Sequence, residues 1–224
     1  MILHPNLVGY WQLENNAFDA RGNNHLTTVG ASFAAGKFGR CGAFDGADDS
    51  FEKTSIIGLP QGSSPRTACA WIYPTATAKT GQYDARGIVG WGGIGTYKET
   101  VLGMVYINGG EEFNHSWNGG QCHSNGASIP QNEWTHLAFS YAGGQASVGT
   151  KLFKNGVNIA GELSDKDTTS LITGTTGMSI GQLGPRNYCH FAGLIDAVMI
   201  FNCVLPEPEI KRCMLGLMPV GRYA

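Results

Sequence analysis

One nine-residue segment decides the fold most sharply: Lys151-Leu152-Phe153-Lys154-Asn155-Gly156-Val157-Asn158-Ile159. Asn155 and Gly156 lie at its centre, and both residue types accept the positive φ that the two central positions of a type I′ turn require. Apolar residues flank the pair on both sides, as they do in two paired strands. The segment therefore predicts an antiparallel β-hairpin.

Strand-like runs continue in both directions from this hairpin and are separated by turn residues. They span residues 7–13, 41–44, 67–73, 87–91, 100–107, 134–141, 178–180 and 194–201. Pro74 ends one of them, because proline cannot donate a hydrogen bond to a sheet ladder. A single short helix is predicted over residues 206–215, where Pro206 suits the first turn and Glu207 and Glu209 suit the positive end of the helix dipole.

The composition agrees with many short strands joined by tight turns, since 33 of the 224 residues are glycine and only 14% are charged. No linker or repeat interrupts the chain, so residues 1–224 are predicted to form a single domain. The net charge of −2 gives no reason to expect nucleic acid as a partner. We also expect no membrane insertion, because no run reaches the roughly 18 apolar residues of a membrane span. The first residues show no secretory signal.

Six cysteines stand at positions 41, 69, 122, 189, 203 and 213, and no two of them have Cys-x-x-Cys spacing. An even number in a secreted chain would suggest disulfides, but without a visible signal the inference weakens. Mostly buried, reduced thiols are therefore the favoured interpretation. A disulfide framework remains the alternative.

Five segments, in order along the chain, carry a resemblance to a known family. They are 7–24 with Leu7-Val8-Gly9-Tyr10-Trp11, 44–49 with Phe44-Asp45-Gly46, 67–74 with Ala70-Trp71-Ile72, 134–138 followed by Asn155-Gly156, and 193–210 with Gly193-Leu194-Ile195-Asp196. Together they resemble the laminin-G-like jellyroll modules of the concanavalin A-like superfamily. The resemblance implies an all-β fold, a two-sheet antiparallel jellyroll sandwich with one short C-terminal helix. It also implies that glycans or proteins are the usual ligands and that a structural calcium ion is common.

A long Gly-rich insertion at residues 108–132 departs from the pattern of the family. Connections of this length are uncommon and tend to be functional. We expect it to be the contact surface, with an exposed Trp117 as its anchor and Asn114, His115 and Asn118 beside it. Tyr188 completes the predicted ligand-binding set, with Arg186 and Asn187 as further candidates. The alternative is that Trp117 packs down on the sandwich as a core residue.

Catalysis is not expected. Glycoside hydrolysis needs two carboxylates about 5–9 Å apart across a cleft. Glu111 and Glu112 are adjacent, so in a strand they would point to opposite faces, and beside Gly109-Gly110 a solvated turn is the simpler interpretation. His115, His123 and Cys122 could in principle bind zinc, but their spacing matches no common zinc pattern.

Calcium is the better metal hypothesis. The resemblance places the motifs that contain Asp19 and Asp196 near one another at the edge of the sandwich, and Asn24 could add an amide oxygen to the six to eight that calcium requires. The alternative is that Asp19 caps a local turn through its side chain and that Asp196 accepts a buried hydrogen bond. The residues alone leave the two interpretations equal.

Together these observations predict a non-catalytic binding module, with lectin-like carbohydrate recognition at a particle or cell surface as its role. The alternative is a structural or adhesive virion protein, such as a phage capsid decoration or fibre domain, that uses the fold for assembly. The partner would be a glycan or a neighbouring protein subunit, and a homo-oligomer is left open. The expected location is extracellular or on a virion surface.

Overall fold

The computed structural model describes residues 4–76, 85–107, 109–159, 162–163, 169–184 and 188–217. The strands are β1 (Leu7–Trp11), β2 (Thr27–Val29), β3 (Ser32–Ala35), β4 (Arg40–Asp45), β5 (Ser50–Thr54), β6 (Arg66–Pro74), β7 (Ala85–Gly92), β8 (Glu99–Ile107), β9 (Gly110–Ser116), β10 (Gln121–His123), β11 (Thr135–Tyr141), β12 (Thr150–Lys154), β13 (Val157–Ile159), β14 (Glu162–Leu163), β15 (Gly177–Ile180) and β16 (Ala192–Phe201). The helices are a single turn, α1 (Ala146–Gly149), and the C-terminal α2 (Glu207–Met214).

The strands form two antiparallel sheets. The first sheet has the order β13-β12-β11-β6-β16-β4-β3, with β1 paired to β16, and the second has the order β14-β10-β9-β8-β7-β15-β5-β2. The predicted jellyroll sandwich with a short C-terminal helix is confirmed, and the helix begins one residue later and ends one residue earlier than the sequence indicates.

The main core lies between the two sheets. Trp91 from the second sheet stacks on Phe139 from the first at 6.5 Å between ring centroids, and both rings are buried. Alternation along β6 divides the side chains between two cores. Ala70 and Ile72 face the main core, whereas Cys69 faces a second, smaller cluster that α2 covers.

The hairpin predicted at Asn155-Gly156 is confirmed. Asn155 has φ +49° and Gly156 has φ +76°, as a type I′ turn requires. Leu152 pairs with Ile159 across the two strands, and both side chains pack on the main core.

The interpretation of residues 108–132 as one long connection is wrong for the described residues, which include two strands. β9 and β10 pair with each other and extend the second sheet beyond β8. The turn between the two strands contains two residues with positive φ, Asn118 at +46° and Gly119 at +147°. Phe113, the one large apolar side chain of β9, is directed to the core, and the high glycine content of the region obscured this signal.

Candidate functional site

The outer face of the second sheet, which points away from the core, is unusually polar. The strand register places Gly103 opposite Asn114 and Ser116 opposite Gln121. Because Phe113 belongs to the main core and neighbouring side chains in a strand alternate, Asn114 and Ser116 lie on the outer face.

A cavity of about 320 Å³ opens on this face. Its lining combines amide, hydroxyl and carboxylate groups with one phenol and a few apolar surfaces. The described lining residues are Ala85, Glu99, Val105, Asn114, Ser116, Asn118, Gly120, Gln121, Leu183 and Tyr188. The volume is within the range of about 300–1,000 Å³ that is typical of small-ligand sites.

Asn114 is the distinctive group of this cavity. The residue is only 2% exposed, and its Nδ2 donates a hydrogen bond to Oε1 of Gln121. Its Oδ1 is buried and has no hydrogen-bond partner among the described residues. Buried acceptors in native proteins nearly always find a donor, so this oxygen is available to accept a hydrogen bond from a ligand or from water in the cavity.

Residues 181–184 and 188–191 fold back over the sheet and form one wall of the cavity. The backbone N–H of Gly87 donates to the Cys189 carbonyl at 2.9 Å, and Ser179 Oγ donates to the Gly184 carbonyl at 2.6 Å. A Cβ atom at Gly87 would collide with the Gln182 backbone, so glycine is required for this close approach. This fold-back brings Leu183 and the half-exposed Tyr188 to the cavity.

The structure brings together three of the five residues predicted to bind a ligand: Asn114, Asn118 and Tyr188 all line the cavity. The sequence-based selection omitted Glu99, Ser116 and Gln121. Alternation in β9 and the pairing of β9 with β10 could have identified Ser116 and Gln121, because both share a face with Asn114. Arg186 and Asn187 lie outside the described residues.

The expectation of an exposed Trp117 is wrong. The side chain is 0% exposed and belongs to the main core. Its backbone N–H donates to the Gly120 carbonyl at 3.1 Å, and its ring packs edge-on against His115 at 5.2 Å. The tight turn at Asn118-Gly119 reverses the chain and leaves the ring on the inner side of the sheet. Trp117 is therefore a core residue that lies beneath the cavity.

His115 is also a core residue, although it was predicted to contact a ligand. The imidazole stacks on Phe139 at 4.0 Å and is hydrogen-bonded to the hydroxyls of Thr100 and Thr150 at 2.7 and 2.9 Å. Burial, followed by the charge of Arg66, holds the pKa of His115 well below 6.5. The ring is therefore neutral and joins the two sheets through Thr150.

Glu111 and Glu112 do not lie in a solvated turn, so that expectation is wrong as well. Both are buried residues of β9. Glu112 Oε2 lies 2.6 Å from His123 Nδ1, and Glu112 Oε1 accepts the Gly126 N–H at 2.8 Å. These two contacts of the Glu112 carboxylate join β9 to β10 and to the turn that follows β10.

Asp19 and Asn24 do not fit a calcium ion. The carboxylate of Asp19 accepts hydrogen bonds from the backbone N–H groups of Tyr10, Arg21 and Asn24, each within 3.0 Å. The side-chain amide of Asn24 is paired with both backbone groups of Ile57. Since N–H donors surround these oxygens, Asp19 caps a turn and Asn24 ties that turn to residue 57.

Asp196 points into a different region. Its Oδ2 accepts the Phe38 N–H at 2.9 Å, and burial raises the pKa of the carboxyl group to about 6. The group lines a separate cavity of about 260 Å³ with Tyr10 and Glu14. Asp19 does not line that cavity, and the carboxylates of Asp19 and Asp196 accept hydrogen bonds from different backbone N–H groups.

A family profile decides the classification. The profile, described as the concanavalin A-like lectin/glucanases superfamily of laminin-G-like type, matches residues 45–211. The chain belongs to this superfamily. No curated protein sequence matches it significantly.

Solved structures with the same fold can be superposed on nearly all of this concanavalin A-like chain. Domain 4 of an extracellular arabinanase from Geobacillus stearothermophilus, in complex with arabinotriose, is 19% identical with a TM-score of 0.67, over 93% of this chain and 98% of that one. The binding domain of Paraclostridial Mosquitocidal Protein 1 is 16% identical with a TM-score of 0.68, over 93% of this chain and 52% of that one. The receptor-binding domain of botulinum neurotoxin D is 15% identical with a TM-score of 0.63, over 94% and 52%. At these identities the likeness shows the fold, which alone does not determine function.

Within the described part of the chain, no helix has the length and apolar character needed to cross a membrane.

Proposed function

We propose that this domain is a non-catalytic carbohydrate-binding module whose ligand occupies the 320 Å³ cavity on the outer face of the second sheet. The observation that carries the proposal is the buried Oδ1 of Asn114, which has no hydrogen-bond partner among the described residues. A sugar hydroxyl could donate to this oxygen and restore the hydrogen bond that burial otherwise costs. The ring of Tyr188, at 41% exposure, offers an apolar face for stacking on a sugar ring.

The comparisons support a binding role in general. The similar structures include domains named for receptor binding and one domain in complex with arabinotriose. A short arabino-oligosaccharide is therefore a sensible first probe. The proposed site of action is an extracellular or virion surface.

The described lining of the cavity is mostly neutral and polar, which suits a neutral sugar. Glu99 lines the cavity, and none of the other described lining residues is charged.

The same lining explains why we propose no catalysis. Two carboxylates on opposite sides of a bound sugar are needed for glycoside hydrolysis. Glu99 is the single carboxylate among the described lining residues, and Glu112 is held by His123. The described lining therefore offers no second carboxylate for that reaction.

A glycan array tests the proposal, with neutral and sialylated sugars as parallel arms and with calorimetry on each hit. We expect binding of neutral glycans that Asn114→Ala and Tyr188→Ala each weaken about tenfold or more, since truncating a central contact commonly costs ~2 kcal/mol. Phe18→Ala is the matched control, because this exposed ring lies outside the cavity. Binding that all three variants retain would reject this cavity as the site.

The alternative proposal is a structural or adhesive role with a protein subunit as partner. It is favoured by three exposed apolar side chains, Ile94, Val148 and Ile172, on neighbouring segments at one end of the sandwich. The segments are joined through Ile172 N to Tyr97 O at 2.9 Å and Ala146 N to Thr169 O at 3.2 Å. Self-association in sedimentation velocity that Ile172→Lys abolishes would favour this role, and a monomer at all concentrations would argue against a homo-oligomer.

A further inference from the structure

The cavity on the outer face of the second sheet is a long cleft that follows β8. Glu99 and Val105 both line it, and their positions in β8 put them on the same face of the strand, opposite the core residues Leu102 and Met104. The six residues from 99 to 105 cover about 20 Å at roughly 3.3 Å per residue. Ala85, which pairs with Val105, lines the same end. The cleft is therefore much longer than a single sugar ring.

Gly103 lies between the two ends and keeps the middle of the cleft open. The register places it opposite Asn114, and a Cβ atom at position 103 would lie 3.0 Å from Asn114 Oδ1. Because glycine has no side chain, the space in front of this oxygen stays free of protein atoms from β8. Asn114 therefore lies near the midpoint of the cleft, which continues from it toward Glu99 and toward Val105.

The two long walls of the cleft differ in chemistry. On one side of β8, the strands β9 and β10 and the turn between them supply polar side chains, namely Asn114, Ser116, Asn118 and Gln121. On the other side, the fold-back over β7 supplies Leu183 and the half-exposed ring of Tyr188. Each unit of a sugar chain has a hydroxyl-bearing edge and a less polar face. A chain laid along β8 would meet hydrogen-bonding groups on one side and apolar surface on the other.

The polar groups are spread along their wall. Asn114 and Ser116 are two residues apart on β9, which corresponds to about 7 Å along the strand, and Asn118 lies in the turn beyond them. A pocket for one small ligand orients it with a few polar groups placed around a single position. The spacing along β9 fits successive units of a chain instead.

We propose that the cleft binds a linear oligosaccharide of three or more units that lies along β8, with Asn114 in contact with a unit inside the chain. This inference rests on the carbohydrate-binding function proposed above. Asn114 Nδ2 donates to Gln121 Oε1, so the orientation of the amide leaves Oδ1, which has no hydrogen-bond partner among the described residues, to accept a hydroxyl of the central unit. The neighbouring units extend toward Asn118 and toward Val105.

Affinity should then depend on chain length. The loss of translational and rotational freedom occurs once for each bound ligand, and each further unit within the cleft adds contacts without repeating that loss. We expect the affinity to rise about tenfold or more from the monosaccharide to the trisaccharide, which is 1.4 kcal/mol or more. It should level off once the chain extends beyond the cleft.

Calorimetric titration of the full protein with one linear series, from the monosaccharide to the pentasaccharide, tests the inference. Arabino-oligosaccharides are the first series, and the series of any other neutral sugar that binds on the glycan array follows. A monosaccharide that binds within about threefold of its trisaccharide would overturn the inference and leave the proposed function intact. If no series binds and the array shows no ligand, both are rejected.

Substitutions at the two ends of the cleft test the direction of the chain. Ala85→Trp places a bulky ring at the Val105 end, and Asn118→Gly removes a polar side chain at the other end while glycine accepts the positive φ of this position. Each should weaken the trisaccharide about fivefold or more, whereas the monosaccharide on Asn114 should bind as before. Asn125→Gly is the matched control, because this exposed asparagine lies outside the cavity.

Two results would contradict a chain along β8. One is a trisaccharide affinity that neither end variant changes, and the other is an equal loss of monosaccharide and trisaccharide binding in both. The chain-length series of the unmodified protein decides the matter even if an end variant fails to fold.

Discussion

The burial of Trp117 can be tested by replacing it with alanine. A buried tryptophan removes about 150–250 Å² from water, which at about 25 cal/mol/Å² corresponds to about 4–6 kcal/mol. Measured losses for large aromatic side chains truncated to alanine are about 3–5 kcal/mol. Because Trp117 is fully buried in the main core, we expect Trp117→Ala to lower the free energy of unfolding by about 3–5 kcal/mol.

Urea unfolding followed by circular dichroism measures this loss, provided that the slope with denaturant is unchanged. Trp117→Phe should cost less than Trp117→Ala, since it keeps part of the ring and Nε1 has no hydrogen-bond partner among the described residues. Tyr188→Ala is the control, because a half-exposed ring on the surface should change stability by no more than about 0.5 kcal/mol. A loss below about 1 kcal/mol in Trp117→Ala would refute the burial argument.

Two further predictions concern pH and metal. Burial lowers the pKa of His115 in the folded state below the 6.5 of the unfolded chain, so its contribution to stability is complete above pH 6.5 and is lost as pH falls below it. Urea midpoints between pH 7.5 and 5 should therefore fall less steeply in His115→Gln, and identical slopes would contradict this. Thermal unfolding should be the same in millimolar calcium and in chelator, because backbone N–H groups occupy the carboxylate of Asp19. The result would instead support calcium binding if a hundredfold excess of calcium over Kd raised the free energy of unfolding by about 2.7 kcal/mol and if Asp196→Asn abolished that rise.

Most strands were predictable because they depend on short-range chemistry. The type I′ turn at Asn155-Gly156 needs two residues that tolerate positive φ, and both have it. Pro74 ends β6 where its missing N–H predicts an end. The insertion at 108–132 was harder, because its glycines obscured the core-facing Phe113 of β9 and indicated a loop.

The candidate site was predictable only in part. Asn114, Asn118 and Tyr188 were selected for their chemistry, and they share one cavity. Their association depends on the fold-back of residues 181–184 and 188–191 onto β7, which brings Tyr188 to residues about seventy positions earlier in the chain. Backbone contacts at Gly87 create this approach, and glycine content alone does not reveal which glycine lies under another chain segment.

The sequence by itself determined most of the longer strands, the hairpin, the short helix and the class of fold, because turn geometry and side-chain alternation act between near neighbours. The tertiary structure decided which polar side chains are exposed and which are paired. Trp117 became core, Glu112 met His123, and Cys69 joined the cluster beneath α2. These outcomes depend on the register of β8, β9 and β10 and on the seating of α2. Residues far apart in the chain set that register and that seating through packing, which spacing along the chain does not encode.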